Sequence, residues 1–344
     1  MDFILGGQAT GSVASRLMQN NFDPGALRPF LGEDGRSLIT VNGQSLVTNA
    51  PATLRKDEWK LLDEAVTRAA KPRLRVFGDL RSNNLQYVIP NGMAKTILED
   101  EKQSDIDEAT VSMDGLTQST GDRPLYSLNT LPLPIIHKDF RFSARQVMVS
   151  RNGSTPLDTS TAELAARRVA EQIEALTLGT SSFVFGGGTI YGYKNFPSRL
   201  TKTLTNPTNV GWTPATLVSE ILAMKSQSQA AYHYGPWFCY CAPAWDKYMD
   251  DDYSAAKGDL TLRQRIGMIE GIDAPTTADY LTNYDLLLVQ KTPDVVRAVI
   301  GMDVVTVQWE TQGGMELNFK VMAILVPQVR ADYNGNTGIV HGSV

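Results

Sequence analysis

The stretch STPLDTSTAELAARRVAEQIEALTLGT, Ser154 to Thr180, decides the predicted fold because it specifies one long helix. It opens with a capping-box pattern, Ser160-x-x-Glu163, with Asp158 just upstream. Apolar residues then recur every three or four positions, and Gly179 is a typical helix end. This stripe comprises Ala162, Ala165, Val169, Ile173 and Leu176, whereas Arg167, Arg168 and Glu171 fall on the other side. The pattern predicts a rod over 159–178, roughly 27 Å long, whose alanines let a sheet approach closely.

The next stretch, SFVFGGGTIYGYKNFP from Ser182 to Pro197, raises the possibility of a phosphate-binding loop and hence of a nucleotide-dependent enzyme. A dinucleotide fingerprint that starts at Gly186 needs a glycine where Tyr191 stands, and the chain has no Gly-Lys pair for a P-loop. Two short β-rich runs around Gly186 to Gly188 instead predict a hairpin whose turn requires positive φ. The nucleotide-dependent enzyme remains only as the third hypothesis.

The regions upstream of the rod differ from one another in the spacing of their apolar residues. The apolar residues of 1–53 recur at no sustained spacing. This predicts an extended arm that packs on another surface, including that of a neighbouring subunit. An amphipathic helix follows, marked by Trp59, Leu62, Ala65 or Val66, and Ala69, and Pro72 ends it. DEATVSMDG and HKDFRFSAR alternate as strands within a polar region, so we expect a projecting two-stranded arm.

Downstream of the rod, the pattern predicts a small α/β unit followed by a long hairpin. Thr213 caps a helix with Pro214 at its first position, and PWFCYCAP and YDLLLVQK are buried strands. Val305 to Trp309 and Met315 to Val321 alternate around TQGGM, which predicts the hairpin turn. The last stretch, NGNTGIVHGSV, is predicted to be frayed.

The composition bounds the function. The chain has 344 residues, of which 42% are hydrophobic and 20% charged, so we expect two or three compact units. A net charge of −5 argues against a protein that binds nucleic acid with its whole surface. The N-terminus does not resemble a signal peptide, and the longest apolar runs are of strand length. We expect a soluble chain that is made in the cytoplasm.

The sequence offers no catalytic, cofactor-binding or metal-binding site. Cys239 and Cys241 lack the second ligand pair that a structural zinc ion requires, so buried thiols are expected. His137, His233 and His341 are far apart in the chain, and Asp250 to Asp252 is typical of a solvated acidic loop. The basic run KPRLRVF with Arg81 is typical of a charged helix end. We therefore predict that the protein is not an enzyme and uses no cofactor.

The order of these elements resembles the major capsid proteins of tailed phages, whose fold is named after the Hong Kong phage and is shared with encapsulins. The resemblance covers roughly residues 54–335. It is carried by Asp57-Glu58-Trp59 through LLDEAVTRA, and by LPLPIIHKDFRFSAR, AARRVAEQIEALTLG, TIYGYKNFP, DLLLVQKTPDVVRAVIGMDVVTVQWE and FKVMAILVPQVR.

The resemblance implies an α+β fold with a fixed division of the chain. The implied segments are an N-terminal arm (1–53), a helix and lead-in (54–82), the E-loop (83–140), the P-domain with the spine helix (141–212), the A-domain (213–292), and C-terminal strands and tail shared by the P- and A-domains (293–344). Some members cross-link an E-loop lysine to a neighbour's asparagine. Lys95 and Lys102 lie in the corresponding region, but no cross-link is assigned.

The resemblance also implies a function. It predicts a structural major capsid protein that self-assembles, as pentamers and hexamers, into an icosahedral shell around the double-stranded DNA of a tailed phage. The implied partners are further copies of the chain, a portal protein, a separate scaffolding protein, decoration or cement proteins, and DNA contacted non-specifically on the inner face. No membrane partner is expected. The alternative is an encapsulin shell that encloses enzyme cargo.

The arm assignment leads to a deletion experiment. Removal of Met1 to Asn49 is expected to leave a folded subunit that assembles poorly, because the arm is predicted to pack on neighbours. Circular dichroism would report the fold, and electron micrographs would report assembly. Normal shells from the shortened chain would contradict the assignment.

Overall fold

The computed structural model describes residues 4–5, 8–9, 30–41, 44–47, 54–106, 108–114, 116, 121, 123–153, 158–253 and 260–344. Most of the segment predicted as an N-terminal arm lies outside these residues. The described α-helices are α1 (Lys56–Ala70), α2 (Val76–Ser82), α3 (Ala144–Asn152), α4 (Ser160–Leu178), α5 (Pro214–Ala230), α6 (Asp246–Met249) and α7 (Leu262–Gly267).

Short 3₁₀ turns connect several of these elements; those described are Lys71–Arg73, Gly92–Ala94, Pro243–Trp245 and Gln312–Gly314. The described strands are β1 (Ile4–Leu5), β2 (Gln8–Ala9), β3 (Phe30–Leu31), β4 (Ser37–Val41), β5 (Gln44–Val47), β6 (Gln86–Val88), β7 (Ile97–Gln103), β8 (Tyr126–Pro132), β9 (Ile136–Ser143), β10 (Phe183–Phe185), β11 (Gly188–Ile190), β12 (Leu200–Thr203), β13 (Trp237–Cys241), β14 (Thr276–Thr277), β15 (Leu286–Gln290), β16 (Val296–Thr311), β17 (Glu316–Val329) and β18 (Ile339–Ser343).

The predicted rod is α4, and its apolar stripe is buried along the whole helix. Gly179 ends it in the left-handed conformation, with φ of 83°. The predicted capping box is wrong, because Thr159 rather than Ser160 is the N-cap residue. The Asp158 carboxylate accepts the Ser160 N–H at 2.9 Å, which lowers the pKa of Asp158 from its ordinary value. An acceptor just before the helix therefore replaces the expected side-chain exchange.

A four-stranded sheet in the order β6-β16-β17-β9 packs against α4. The long β16–β17 hairpin was predicted, and its turn has positive φ at Gln312, Gly313 and Gly314. In the β9–β17 register, Phe140 lies directly opposite Phe319. The two rings stack with their centroids 5.2 Å apart. Trp59 of α1 meets Phe319 edge-on at 5.9 Å, so aromatic contacts join helix to sheet.

Helix α1 is held at its start by a buried carboxylate. Glu58 accepts the backbone N–H of Arg55 at 2.8 Å and receives Nε and Nη2 of Arg151 at 2.8 and 2.7 Å. Burial alone would raise the pKa of Glu58, but these hydrogen bonds, with the Arg151 charge, bring it below its ordinary value. The pair therefore ties α1 to α3, which lies about 90 residues further along the chain.

The second sheet has five strands in the order β12-β18-β15-β13-β14. Its strands β13 and β15 are buried along their whole length, as predicted. The prediction of a frayed C-terminal stretch is wrong. Strand β18 lies between β12 and β15, and Ile339 and Val340 are fully buried. The sheet thus joins strands from the predicted segments 141–212, 213–292 and 293–344.

A separate two-stranded sheet is present upstream of the rod, but its strands are not those predicted for the arm. Residues 108–114 form no strand, and β9 pairs with β17 in the four-stranded sheet. The arm consists of β7 and β8, paired antiparallel from Ile97 opposite Pro132 to Gln103 opposite Tyr126. Alternation in 108–114 was misleading because a strand also needs a partner backbone.

The fold class is α+β, as predicted, with one hydrophobic core that runs from α1 and α4 through both larger sheets. None of the helices in the described ranges combines the length and the apolar character that crossing a bilayer requires.

The position of β18 can be tested by truncating a core side chain. Ile339→Ala is expected to lower the free energy of unfolding by about 2–5 kcal/mol, because it leaves a cavity in the middle of a sheet. Urea denaturation measures this change. Val344→Ala is the matched control: Val344 is about half exposed, and its truncation should cost less than about 0.5 kcal/mol. Equal, small effects would mean that the C-terminal stretch is frayed after all.

Candidate assembly surfaces

The base of the β7–β8 arm is fixed by an ion pair that the sequence did not reveal. Asp100 of β7 receives Nε and Nη2 of Arg330, both at 2.9 Å, and Arg297 lies 3.7 Å from the same carboxylate. Burial and the nearby Arg330 charge lower the pKa of Arg297 from its ordinary value. The partners are about 200 residues apart in the chain, so only the fold brings them together. The ion pair therefore holds β7 against the residue that follows β17.

Beyond this base, the arm carries large apolar side chains in water. Val111 and Met113 are essentially fully exposed, at 97% and 105%, and Leu116 is 85% exposed. Ile106, Leu125, Tyr126 and Leu128 are also exposed. We call the described residues of this stretch, 104–106, 108–114, 116, 121 and 123–125, the arm tip. A folded monomer rarely leaves such side chains uncovered together, so the arm tip is a candidate contact surface.

The triple glycine forms the hairpin that braces the arm. Phe183 pairs with Ile190 across the β10–β11 turn, and Gly186 and Gly187 both have positive φ, at 58° and 79°. A Cβ on Gly188 would lie 2.3 Å from the Thr130 carbonyl oxygen, because β11 runs against β8. A phosphate loop requires a strand, a loop and a helix. The stretch is strand, turn and strand, as the hairpin prediction stated.

A second group of exposed apolar side chains lies near the turn of the β16–β17 hairpin. Met315 is 64% exposed, and its carbonyl accepts the N–H of Ala144 at the start of α3. Met148 and Val149 of that helix are exposed, as is Trp309. Lys320 lies 5.6 Å from the Trp309 ring centroid. We call Met148, Val149, Trp309 and Met315 the hairpin tip. Like those of the arm tip, these apolar side chains are exposed.

The residues considered for chemistry are held in separate structural roles. Cys239 and Cys241 are buried free thiols; burial raises the pKa of both, that of Cys241 to about 11, so they stay protonated at neutral pH. Asp250 pairs with Arg263 at 2.8 Å, and His233 bonds to Gln290. Within the described ranges, no three His, Cys, Asp or Glu residues are arranged to hold a metal ion.

One buried carboxylate, that of Asp285, has several polar partners, and its role is structural. Asp285 meets His341 Nε2 at 3.2 Å and Lys194 Nζ at 2.5 Å. Arg199 donates to His341 Nδ1, which leaves Nε2 as the donor to the carboxylate. Burial alone would raise the pKa of Asp285, but these bonds lower it. The cluster ties β18 to the start of β15.

The chain has the fold of several solved capsid and virus-like particle proteins. It superposes on the virus-like particle protein of Pyrococcus furiosus with a TM-score of 0.60 at 15% identity, over 83% of this chain and 99% of that one. The capsid protein of Myoviridae phage XM1 matches with a TM-score of 0.57 at 10% identity, over 74% and 88%. That of a native GTA particle gives 0.52 at 11%, over 75% and 88%.

The expected fold, that of the tailed-phage major capsid proteins, is thus confirmed. The chain belongs to the family of unknown function DUF6260, whose model matches residues 49–342. No curated protein matches its sequence.

The bracing hairpin leads to a paired substitution. Gly188→Ala is expected to lower the free energy of unfolding by about 1–3 kcal/mol, because its Cβ collides with the β8 backbone. Amide hydrogen exchange in β8 should accelerate as the arm base separates from the hairpin. Gly187→Ala is the control: its Cβ meets nothing within 4 Å, so it carries only the strain of positive φ. If both variants leave β8 exchange unchanged, the hairpin does not brace the arm.

Proposed function

We propose that this protein is a shell subunit, the major capsid protein of a tailed phage, whose copies assemble into an icosahedral shell around double-stranded DNA. The observation that carries the proposal is the exposed arm tip on a capsid fold. Val111, Met113 and Leu116 lie at the end of an arm whose base is fixed. Such a surface is completed when another copy covers it.

Burial of these side chains supplies the driving force. Each large apolar side chain removed from water contributes roughly 1.5–3 kcal/mol. One arm therefore provides a modest contact, and a shell multiplies it over many subunits. Contacts between different patches of identical chains build rings and closed shells rather than isolated dimers. Such contacts would build the pentamers and hexamers of the proposed shell.

The segment assignments belong to the same proposal. We assign the β7–β8 arm and its tip to the E-loop, α4 with the four-stranded sheet to the P-domain, and the five-stranded sheet with α5 to the A-domain. A portal protein, a separate scaffolding protein and decoration proteins would be partners, with DNA contacted non-specifically on the inner face. The subunit would be made in the host cytoplasm and end in the virion capsid.

The second candidate function is an encapsulin-type compartment that encloses protein cargo. Its support is the match to the Pyrococcus furiosus virus-like particle protein, 99% of which is covered by this chain. The long arm tip favours the virus. Particles purified from their native source distinguish the two: packaged DNA supports the phage capsid, whereas enclosed enzyme without DNA supports the compartment.

The shell itself is tested with the arm tip. The double substitution Val111→Asp with Met113→Asp should leave a folded chain that no longer assembles. Removal of two apolar contacts at roughly 1.5–3 kcal/mol each weakens every arm contact by at least about a hundredfold. Analytical ultracentrifugation and electron microscopy of the expressed chain measure assembly, and circular dichroism measures the fold.

Thr110→Asp is the matched control, since it adds charge to the same segment without removing an apolar side chain. We expect shells from the wild type and from this control. Wild-type protein that stays monomeric at high concentration would refute the proposal, and so would normal shells from the double variant.

A further inference from the structure

A cavity of about 260 Å³ lies at the base of the arm, between parts of the chain that are distant in sequence. The arm strands β7 and β8 form one wall, and the end of β17 forms another. The glycine hairpin, at Gly187 and Gly188, and the residues Tyr191 and Phe196 that follow it line the remaining sides. A single water needs only about 10–15 Å³ of such space, so the cavity has room for a small polyatomic ion.

Positive charge exceeds negative charge around this cavity. Its charged lining residues are Lys102, Arg330 and Asp100. Both oxygens of Asp100 already accept hydrogen bonds from Arg330, and Arg297 lies 3.7 Å from the same carboxylate. Lys102 has no ion-pair or hydrogen-bond partner within the described ranges. One carboxylate therefore faces three cations, which leaves an excess of positive charge at the arm base.

Uncharged polar side chains with unused hydrogen-bonding groups line the same cavity. Asn129 lies directly opposite Asp100 in the β7–β8 register, and Lys102 follows Asp100 by two residues, so all three share one face of the arm. Thr189 and Tyr191 line the cavity from the hairpin side. In the part of the chain that the structure describes, the side chains of Asn129, Thr189 and Tyr191 form no hydrogen bond. Amide, hydroxyl and ammonium donors thus surround one space.

We propose that this cavity is a binding site for a small tetrahedral oxyanion, such as inorganic phosphate, which links the arm to the body of the subunit. The excess charge and the unused donors call for a negatively charged acceptor, and phosphate oxygens accept hydrogen bonds from several directions. Lys102 and Asn129 bind it from the arm. Arg330, whose Nε and Nη2 are taken by Asp100, contributes its Nη1 from the end of β17.

This site is not a phosphate loop. In such a loop the backbone N–H groups of one glycine-rich turn hold the phosphate at the start of a helix. Here the donors are side chains of the arm, the hairpin and the end of β17, and the glycines supply one wall. The site lies within one chain, so it goes beyond the shell function and does not depend on it.

A bound ion would stabilise the closed arm base. When the arm separates from the body, Lys102 and Asn129 move away from Arg330, so the ion binds the closed form alone. A ligand that binds only one form stabilises it according to the ratio of its concentration to its Kd. At a phosphate concentration ten times the Kd, hydrogen-exchange protection of the β7 and β8 amides should rise about tenfold relative to chloride at equal ionic strength.

Calorimetric titration of the full chain with inorganic phosphate, at low ionic strength, tests the site. We expect one ion per chain with a Kd below about 1 mM. Lys102→Gln should weaken binding by about tenfold or more, because it removes a charged donor. Lys102 has no partner in the described chain, so circular dichroism should show an unchanged fold. Lys95→Gln is the matched control: Lys95 is an exposed lysine just before β7 that does not line the cavity, and its loss should leave the Kd unchanged.

Three results would overturn the proposal. Wild-type protein without saturable phosphate binding, or Lys102→Gln with the wild-type Kd, would remove the site. Unchanged exchange in β7 and β8 when phosphate is bound would remove the link to the arm. Tighter binding of a dinucleotide that carries one phosphodiester would assign the site to nucleic acid and not to a free ion. All of these are measured per chain, whether or not the chain forms shells, so failure of assembly would leave the site standing.

Discussion

The close packing of α4 against the four-stranded sheet is the interaction on which the rest of the structure depends. The buried side of α4 is lined largely by alanines, so α1 on one flank and β9 and β17 on the other approach its backbone closely. Small side chains shorten the distance between packed elements and leave little room for rearrangement. This packing therefore fixes the positions of both ends of the helix. One end leads through Gly179 into the hairpin that braces the arm, and Glu174 near that end meets α2.

Charged groups near the core are paired, whereas the projections carry uncovered apolar side chains. Charged groups near the core have specific partners, as Glu58 has in Arg151 and Asp100 in Arg330. Large apolar side chains at the arm tip and the hairpin tip, by contrast, face water. This contrast is a property of the fold and not of a weak core, because the core is continuous through both sheets. Burial of the projections needs surface that the described chain does not supply; under the proposed shell function, further copies of the chain would provide it.

Signals that are local in sequence predicted their elements correctly. The rod α4 has its apolar period and its glycine end, α5 has Pro214 at its start, and the glycine hairpin has its turn residues. Strands that depend on a distant partner were misassigned. The alternation in 108–114 lacks a partner strand, whereas charge-rich β7 pairs fully with β8. Hydrogen bonds between strands are not encoded in the period of either strand, so the true arm strands carried no visible signal.

The sequence by itself determined the α+β class, the long helix and the absence of a phosphate loop at Gly186, because each depends on neighbouring residues. Only the tertiary structure decided that the C-terminal stretch is a central strand, since Ile339 and Val340 are buried by β12 and β15, more than 45 residues upstream. It alone brought Asp100 to Arg330 and Glu174 to the start of α2. Burial, ion pairing and a shifted pKa arise from neighbours in space, and local sequence patterns specify neighbours only along the chain.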